Sequence, residues 1–339
     1  MKHRKLFVIA LVVLLLLMLT APAMAAKKVR VGVALDGAGL GDLSFNDTVH
    51  AGVVAAQEDF PIKVRELDLL LPGGKFIPHE KVIERLSAPS DLVVAVGFLY
   101  TDAVAAEASQ RPDVDFALLD AFVDAPNVAS ILFAANEGSF LVGAAAALTS
   151  QTGTIGFIGG VDIPLIGEFE AGFVAGVHYV DPGATVLVEY ISTPPDFSGF
   201  GDPEAAYSIA TGMYGAGADV VYHAAGGSGF GLFQAAYDYS MANDHVWAIG
   251  VDADQYLGVP PELQPHILTS MLKRLDVATY DMIAAEVAGT FVGGLHLYDL
   301  AANGVGYATS GGFVDGIAGT LDAIAALIID GTITVPTVP

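Results

Sequence analysis

Short apolar runs rich in β-branched residues take turns with helical stretches along nearly all of this 339-residue chain, and that alternation limits the possible folds more than any other feature. The runs are Lys28–Leu35, Ile62–Leu67, Leu92–Val96, Phe116–Leu119, Val128–Phe133, Thr154–Ile158, Thr185–Tyr190, Val220–His223 and Val246–Val251. Many are nearly continuous rather than alternating, which is how strands covered on both faces read. Helical stretches lie between them at Thr48–Asp59, Thr101–Gln110, Ser139–Ser150, Pro203–Gly215 and Gly231–Ser240. The order predicts an α/β protein built on doubly wound parallel sheets. A chain this long exceeds what one core usually supports, so two lobes are expected, with Asn136–Ser139 as a crossover between them. A hydrophobic content of 53% suits a well-buried fold and opposes a disordered one.

The amino terminus predicts export. Lys2, Arg4 and Lys5 precede an apolar stretch from Leu6 to Leu19, and Ala23-Met24-Ala25 is a small-x-small cleavage signal, so residues 1–25 read as a signal peptide. The apolar run falls short of the roughly 20 residues that a spanning helix needs. With no cysteine in the sequence, neither a lipid anchor at a lipobox nor a disulfide is expected, and the mature chain should be soluble in the periplasm or outside the cell. Against 14 Lys and Arg stand 38 Asp and Glu, a net charge of −24. Such an imbalance disfavours nucleic acid and anionic membrane surfaces as partners.

Several strand ends carry candidate chemistry. Asp36 closes the first strand, and a glycine-rich loop leads on to Asp42 and to Ser44-Phe45-Asn46 at a helix start. In an open α/β sheet ligands bind at the carboxyl ends of the strands. There Phe45 offers a stacking face and Asn46 an amide that both donates and accepts. Asp120 and Asp252 end two further strands. One Asp at a strand end is commonly a turn former, but three on one crevice would repel unless a ligand or a cation answers them. Phe200, in a loop before the proline-started helix at Pro203, is a candidate stacking wall. The turn Gly226-Gly-Ser-Gly229-Phe230-Gly-Leu-Phe233 lacks the lysine of a phosphate loop, yet its backbone N–H groups at Gly229 can meet a polar edge, and Phe230 or Phe233 could add an aromatic face. Lys273, one of few bases, stands where it could pair with Asp252 and hold a diol. Phe169 and Phe173 are four apart and read as one core-facing helix side, with Asp162 as that helix's cap rather than a ligand group.

Taken together, Asp36-x-Gly-x-Gly with Asp42-x-Ser-Phe-Asn46, Gly159-Gly-x-Asp-x-Pro-x-Ile, Phe200-x-Asp-Pro, Ala225-Gly-Gly-x-Gly, Ile249-Gly-Val-Asp-x-Asp-Gln and Thr269-Ser-Met-Leu-Lys-Arg resemble the BMP (basic membrane protein) family of ABC-transporter substrate-binding proteins, the group that includes the purine nucleoside receptor A type. The resemblance implies a type I periplasmic-binding-protein fold, two α/β lobes joined by three crossovers and closing on a nucleoside. Residues 26–135 and 256–292 are then expected in one lobe, and 136–255 and 293–339 in the other. By the same resemblance Asp36 and Asn46 would address the base edge, Phe45 would stack on it, and Phe200 with Phe230 or Phe233 would add aromatic contacts. Asp120, Asp252 and Lys273 would hold the ribose hydroxyls. The chain departs from the family in lacking a lipobox cysteine and in being acidic.

The expected activity is capture without chemistry by a monomer that needs no cofactor and no metal. A nucleoside, purine by the resemblance, favours the closed state by its contacts with both lobes, and closure presents a surface to an ABC permease in the membrane. Two alternatives use the same residues: a metal-dependent nucleoside hydrolase, and a nucleoside-sensing receptor domain without transport. Against the hydrolase, no dense run of aspartates follows the first strand.

Overall fold

A computed structural model describes residues 28–71 and 75–339, and the leader read from the sequence lies outside them. In chain order the elements begin β1 (Arg30–Ala34), α1 (Phe45–Asp59), β2 (Lys63–Leu67), the short pair β3 (Leu70–Leu71) and β4 (Lys75–Phe76), α2 (His79–Ser87), β5 (Leu92–Ala95), α3 (Thr101–Gln110), β6 (Asp115–Leu119) and β7 (Val128–Phe133). They continue α4 (Ala135–Thr149), β8 (Thr154–Val161), α5 (Pro164–Val180), β9 (Thr185–Ser192), α6 (Pro203–Gly215), β10 (Val220–Ala224), α7 (Gly229–Ala242), β11 (Trp247–Asp252) and β12 (Ile267–Lys273). The last are α8 (Leu275–Ala288), β13 (Gly294–Tyr298), β14 (Val305–Tyr307) and α9 (Ala318–Ile329).

Two six-stranded sheets result, in the orders β13-β7-β6-β5-β1-β2 and β14-β12-β11-β10-β8-β9. The first is parallel throughout. The second carries one antiparallel edge strand, β14 against β12, where the alternation had suggested parallel strands only. Burial follows position in the sheet: every residue of β5 and β10 is buried, whereas the edge strands β2 and β9 keep exposed side chains. The continuous apolar runs therefore mark strands with helices on both faces.

The lobe boundaries differ from those expected. β12 pairs with β11, so residues 267–273 belong to the second sheet, and β13 pairs with β7, so 294–298 belong to the first. The chain completes the five parallel strands of the second sheet before it crosses, contributes one helix and one edge strand to the first, and then returns to add the antiparallel β14. Pairing, which the local pattern of a strand does not encode, decides the sheet. The three crossovers fall between β7 and α4, between β12 and α8, and between β13 and β14, the first just before the expected Asn136. Hydrogen bonds knit them together, Ala134 N–H to the Tyr298 carbonyl at 3.0 Å and Arg274 N–H to the Gly304 carbonyl at 2.9 Å.

Beside the crossovers α4 and α5 pack backbone to backbone. A Cβ on Gly143 would stand 2.2 Å from the Phe173 carbonyl oxygen, and one on Gly176 2.1 Å from that of Phe140, so only glycine permits this approach. Asp162 does not cap α5: Ile163 occupies that position, and Pro164 opens the helix.

Candidate ligand site between the lobes

The carboxyl ends of both sheets face each other across a cleft that opens to solvent and spans about 720 Å³ with that open space included. From the first lobe Asp36, Asp42, Phe45, Phe98 and Asp120 line it; from the second come Phe169, Phe200, Asp252 and Lys273. Six of the residues singled out in the sequence, Asp36, Phe45, Asp120, Phe200, Asp252 and Lys273, thus meet in one chamber.

The loop after β1 is held by its own acids. Asp42 accepts the N–H groups of Ser44, Asn46 and Asp47 at 3.0, 2.8 and 3.1 Å, satisfying donors at the start of α1 that have no partner within the helix. Asp47 in return accepts the N–H groups of Gly41 and Leu43. Asn46 is fully buried between two aspartates. Its amide nitrogen donates to Asp36 at 2.6 Å and to Asp42 at 3.0 Å, and its oxygen accepts the Asp36 N–H. Asn46 was expected to address a ligand, but these bonds commit its amide and it does not line the chamber. Burial raises the carboxyls of Asp36 and Asp42 above the ordinary range, against the hydrogen bonds they accept.

Two strand-end aspartates face each other with left-handed backbones, Asp120 at φ 59° and Asp252 at φ 63°. That conformation is uncommon outside glycine and concentrates at functional turns. Lys273, at the end of β12, reaches across the cleft to Asp120 at 2.5 Å, with 3% and 4% of the two side chains exposed. The same ammonium stands 5.1 Å from the ring centres of Phe45 and Phe133 and 5.6 Å from that of Phe169, within cation–π range of all three. Lys273 was expected opposite Asp252; its hydrogen-bonding partner is Asp120, and its charge still acts on Asp252. Asp252 accepts the Ser44 hydroxyl from the other lobe at 2.6 Å. Its carboxyl is pushed up to about 6, chiefly by burial, with the nearby Lys273 and the Ser44 bond pulling the other way.

The glycine motifs make room for aromatic rings. A Cβ on Gly160 would lie 2.6 Å from the Phe200 ring, so the Gly-Gly at the end of β8 lets Phe200 form a wall. Ser228 fixes the loop that carries it, donating to the Gly199 carbonyl and accepting the Asp202 N–H, both at 2.7 Å.

Gly229, Phe230 and Phe233, expected at the ligand, lie outside the chamber lining. A Cβ on Gly229 would fall 1.9 Å from the His223 ring, which Phe233 packs edge-on at 5.4 Å, while Phe230 is 37% exposed. The turn thus houses His223, a buried imidazole that desolvation lowers to about 4 and therefore keeps neutral. His223 Nε2 is 3.0 Å from Gln255 Oε1, which also accepts the Val251 N–H, so Nε2 carries the proton. The Gln255 amide nitrogen then donates to the Leu43 carbonyl of the other lobe at 3.1 Å.

Sequence reasoning passed over Asp42, Phe98, Ser44, His223 and Gln255 as site residues, and it assigned Phe169 to the core. Phe169 is 3% exposed and joins the core, but its ring also borders the chamber beside Lys273. Helical spacing gave the right face and could not show that the face ends at a cleft.

Two α/β lobes, three crossovers and a chamber at the facing strand ends define a type I periplasmic-binding-protein fold. A family model described as "ABC transporter substrate-binding protein PnrA-like" matches residues 28–338, and the chain belongs to this Bmp family. It is 32% identical over 327 residues to the CD4+ T-cell-stimulating antigen of Listeria monocytogenes, covering 93% of this chain and 90% of that protein. It is 37% identical over 258 residues to the ABC transporter nucleoside-binding protein BmpA of Lactococcus lactis subsp. cremoris, covering 72% and 71%. Among solved structures, an ABC transporter solute-binding protein from Aeropyrum pernix K1 superposes with a TM-score of 0.78 at 28% identity, covering 91% of this chain and 93% of that one.

Proposed function

We propose that this substrate-binding protein captures a nucleoside, a purine nucleoside in the first instance, between its lobes and delivers it to an ABC permease without altering it. The observation that carries the reading is the chamber's division of labour: aromatic faces at Phe45 and Phe200, and hydrogen-bonding charges at Asp120, Asp252 and Lys273. Flat rings stack on the first kind of surface, and a ribose diol hydrogen-bonds to the second. The nucleoside-binding relative in Lactococcus lactis supports the ligand class. Contacts from both lobes would favour the closed state, which is the form a permease reads.

On this reading the protein works outside the cytoplasm, released there by cleavage of its leader, as a monomer and with no nucleic-acid partner. Among the described residues no helix is long and apolar enough to cross a membrane.

A thermal-shift panel tests the ligand. Adenosine, guanosine or inosine at about 100 times its dissociation constant should add roughly 2.7 kcal/mol to the folded state. Response to sugars or amino acids, with none to nucleosides, overturns the assignment. Chromatography of the nucleoside after incubation should return it intact with and without magnesium or calcium. Metal-dependent release of free base would make the protein a hydrolase, which needs a cation to turn water into a nucleophile.

A further inference from the structure

We infer that Phe98 and Phe197 form a gate at the mouth of the chamber that sets how slowly a bound ligand leaves. This rests on reading the chamber as the ligand site. Phe98 belongs to the first lobe, in the turn Phe98–Tyr100 that follows β5, and Phe197 to the second, in the loop between β9 and α6. Their ring centres are 5.9 Å apart at 55°, a contact that crosses the cleft.

The rim lies at this contact. Leu99, next to Phe98, lines the chamber and is 37% exposed, and Ala38, also in the lining, is exposed. Phe98 and Phe200 line the chamber and Phe197 does not. One short loop therefore directs Phe200 to the chamber wall and Phe197 to the opposite lobe.

Both turns that carry the rings are held in place. Tyr100 anchors the Phe98 turn through its hydroxyl, which donates to the Leu35 carbonyl at 2.6 Å. The Phe197 loop folds on itself: Ser192 donates to the Asp196 carbonyl at 2.9 Å, and Ser198 N–H donates to the Asp196 carboxylate at 2.9 Å. Two aromatic groups that touch only while the lobes are together tie the lobes at the mouth, so the pair must part when the cleft opens to release a ligand. Because Phe197 stands outside the lining, it should act on residence time and leave the choice among ligands alone.

Stopped-flow displacement of inosine, adenosine and uridine measures the release rate. Phe197→Ala should raise it about tenfold for whichever of them bind, since an aromatic pair is worth about one decade. Phe197→Tyr should keep the slow rate, and Phe98→Ala added to Phe197→Ala should give no further acceleration beyond what Phe98→Ala gives alone. A second readout needs no ligand. The chain has no cysteine of its own, so Glu58→Cys on α1 and Thr211→Cys on α6 place spin labels on opposite lobes for pulsed-EPR distances. Phe197→Ala should broaden that distribution towards longer distances, and Phe197→Tyr should not. Unchanged release in Phe197→Ala with nucleosides binding normally overturns the gate and leaves the nucleoside reading intact. If the unmodified protein binds none of the three, the nucleoside reading fails and the distances judge the pair alone: broadening upholds the interlobe contact, and identical distributions overturn it.

Discussion

Asp120 and Asp252 occupy the same place in two differently composed lobes. Asp120 follows, and Asp252 ends, the strand that stands third from the corresponding edge of its six-stranded sheet, and each turns there with a left-handed backbone. Asp120 meets an ammonium from across the cleft, whereas Asp252 meets a hydroxyl. Topology delivered both carboxyls to the chamber, and the opposite lobe gave them their chemistry. Asp120 sits in a buried ion pair, and Asp252 is a carboxyl whose neutral form burial favours.

The comparison breaks most readily at Lys273. Removing one partner from a buried pair strands the other charge, so Lys273→Met should cost about 3–5 kcal/mol of stability in denaturant unfolding. Adding Asp120→Asn should recover part of that loss. Asp252→Asn, by contrast, keeps the shape of the neutral carboxyl and, in unfolding at pH 5 where that form prevails, should stay within about 1 kcal/mol of the unmodified protein. Equal costs for Lys273→Met and Asp252→Asn would mean that the two aspartates do not differ in kind.

A smaller effect concerns the ligand. Asp252→Ala should weaken nucleoside binding by about 1.5 to 3 kcal/mol in calorimetry, the range for a hydrogen bond to a charged group. The free base, which has no ribose, should bind the variant nearly as well as it binds the unmodified protein. Equal losses for nucleoside and base would move Asp252 from the sugar end to the base end.

The smallest expected effect is a slope. The Asp252 carboxyl holds its proton up to about 6 in the folded protein, against an ordinary value of 3.8. Between those values the folded state binds more protons than the unfolded one, so stability falls as pH rises. The contribution is fully present below the lower value and lost above the upper one. Asp36 and Asp42, raised by burial, tilt the curve the same way. Denaturation midpoints between pH 4 and 6 should therefore fall less steeply in Asp252→Asn than in the unmodified protein.

Much of the chamber was legible because strand ends are local features. An acid after an apolar run places its carboxyl at the sheet edge whatever else the chain does, as Asp36, Asp120 and Asp252 show. The misreadings share a different cause. Asn46 has the chemistry of a ligand contact, and Asp36 and Asp42 absorb it. Gly229 looks like a backbone cradle, and a Cβ there would strike His223. Phe169 looks like core and is core, with the chamber at its edge. Each outcome depends on which distant side chain fills the adjoining space.

The sequence by itself determined the α/β alternation, the covered central strands and the ring of strand-end carboxyls, because backbone periodicity and strand termini act over a few residues. Only the tertiary structure decided which sheet takes β12 and β13, and which charge meets which across the cleft. Lys273 and Asp120 are 153 residues apart, and Ser44 and Asp252 are 208 apart. Contacts of that range arise when two separately formed surfaces dock, so no local pattern encodes them.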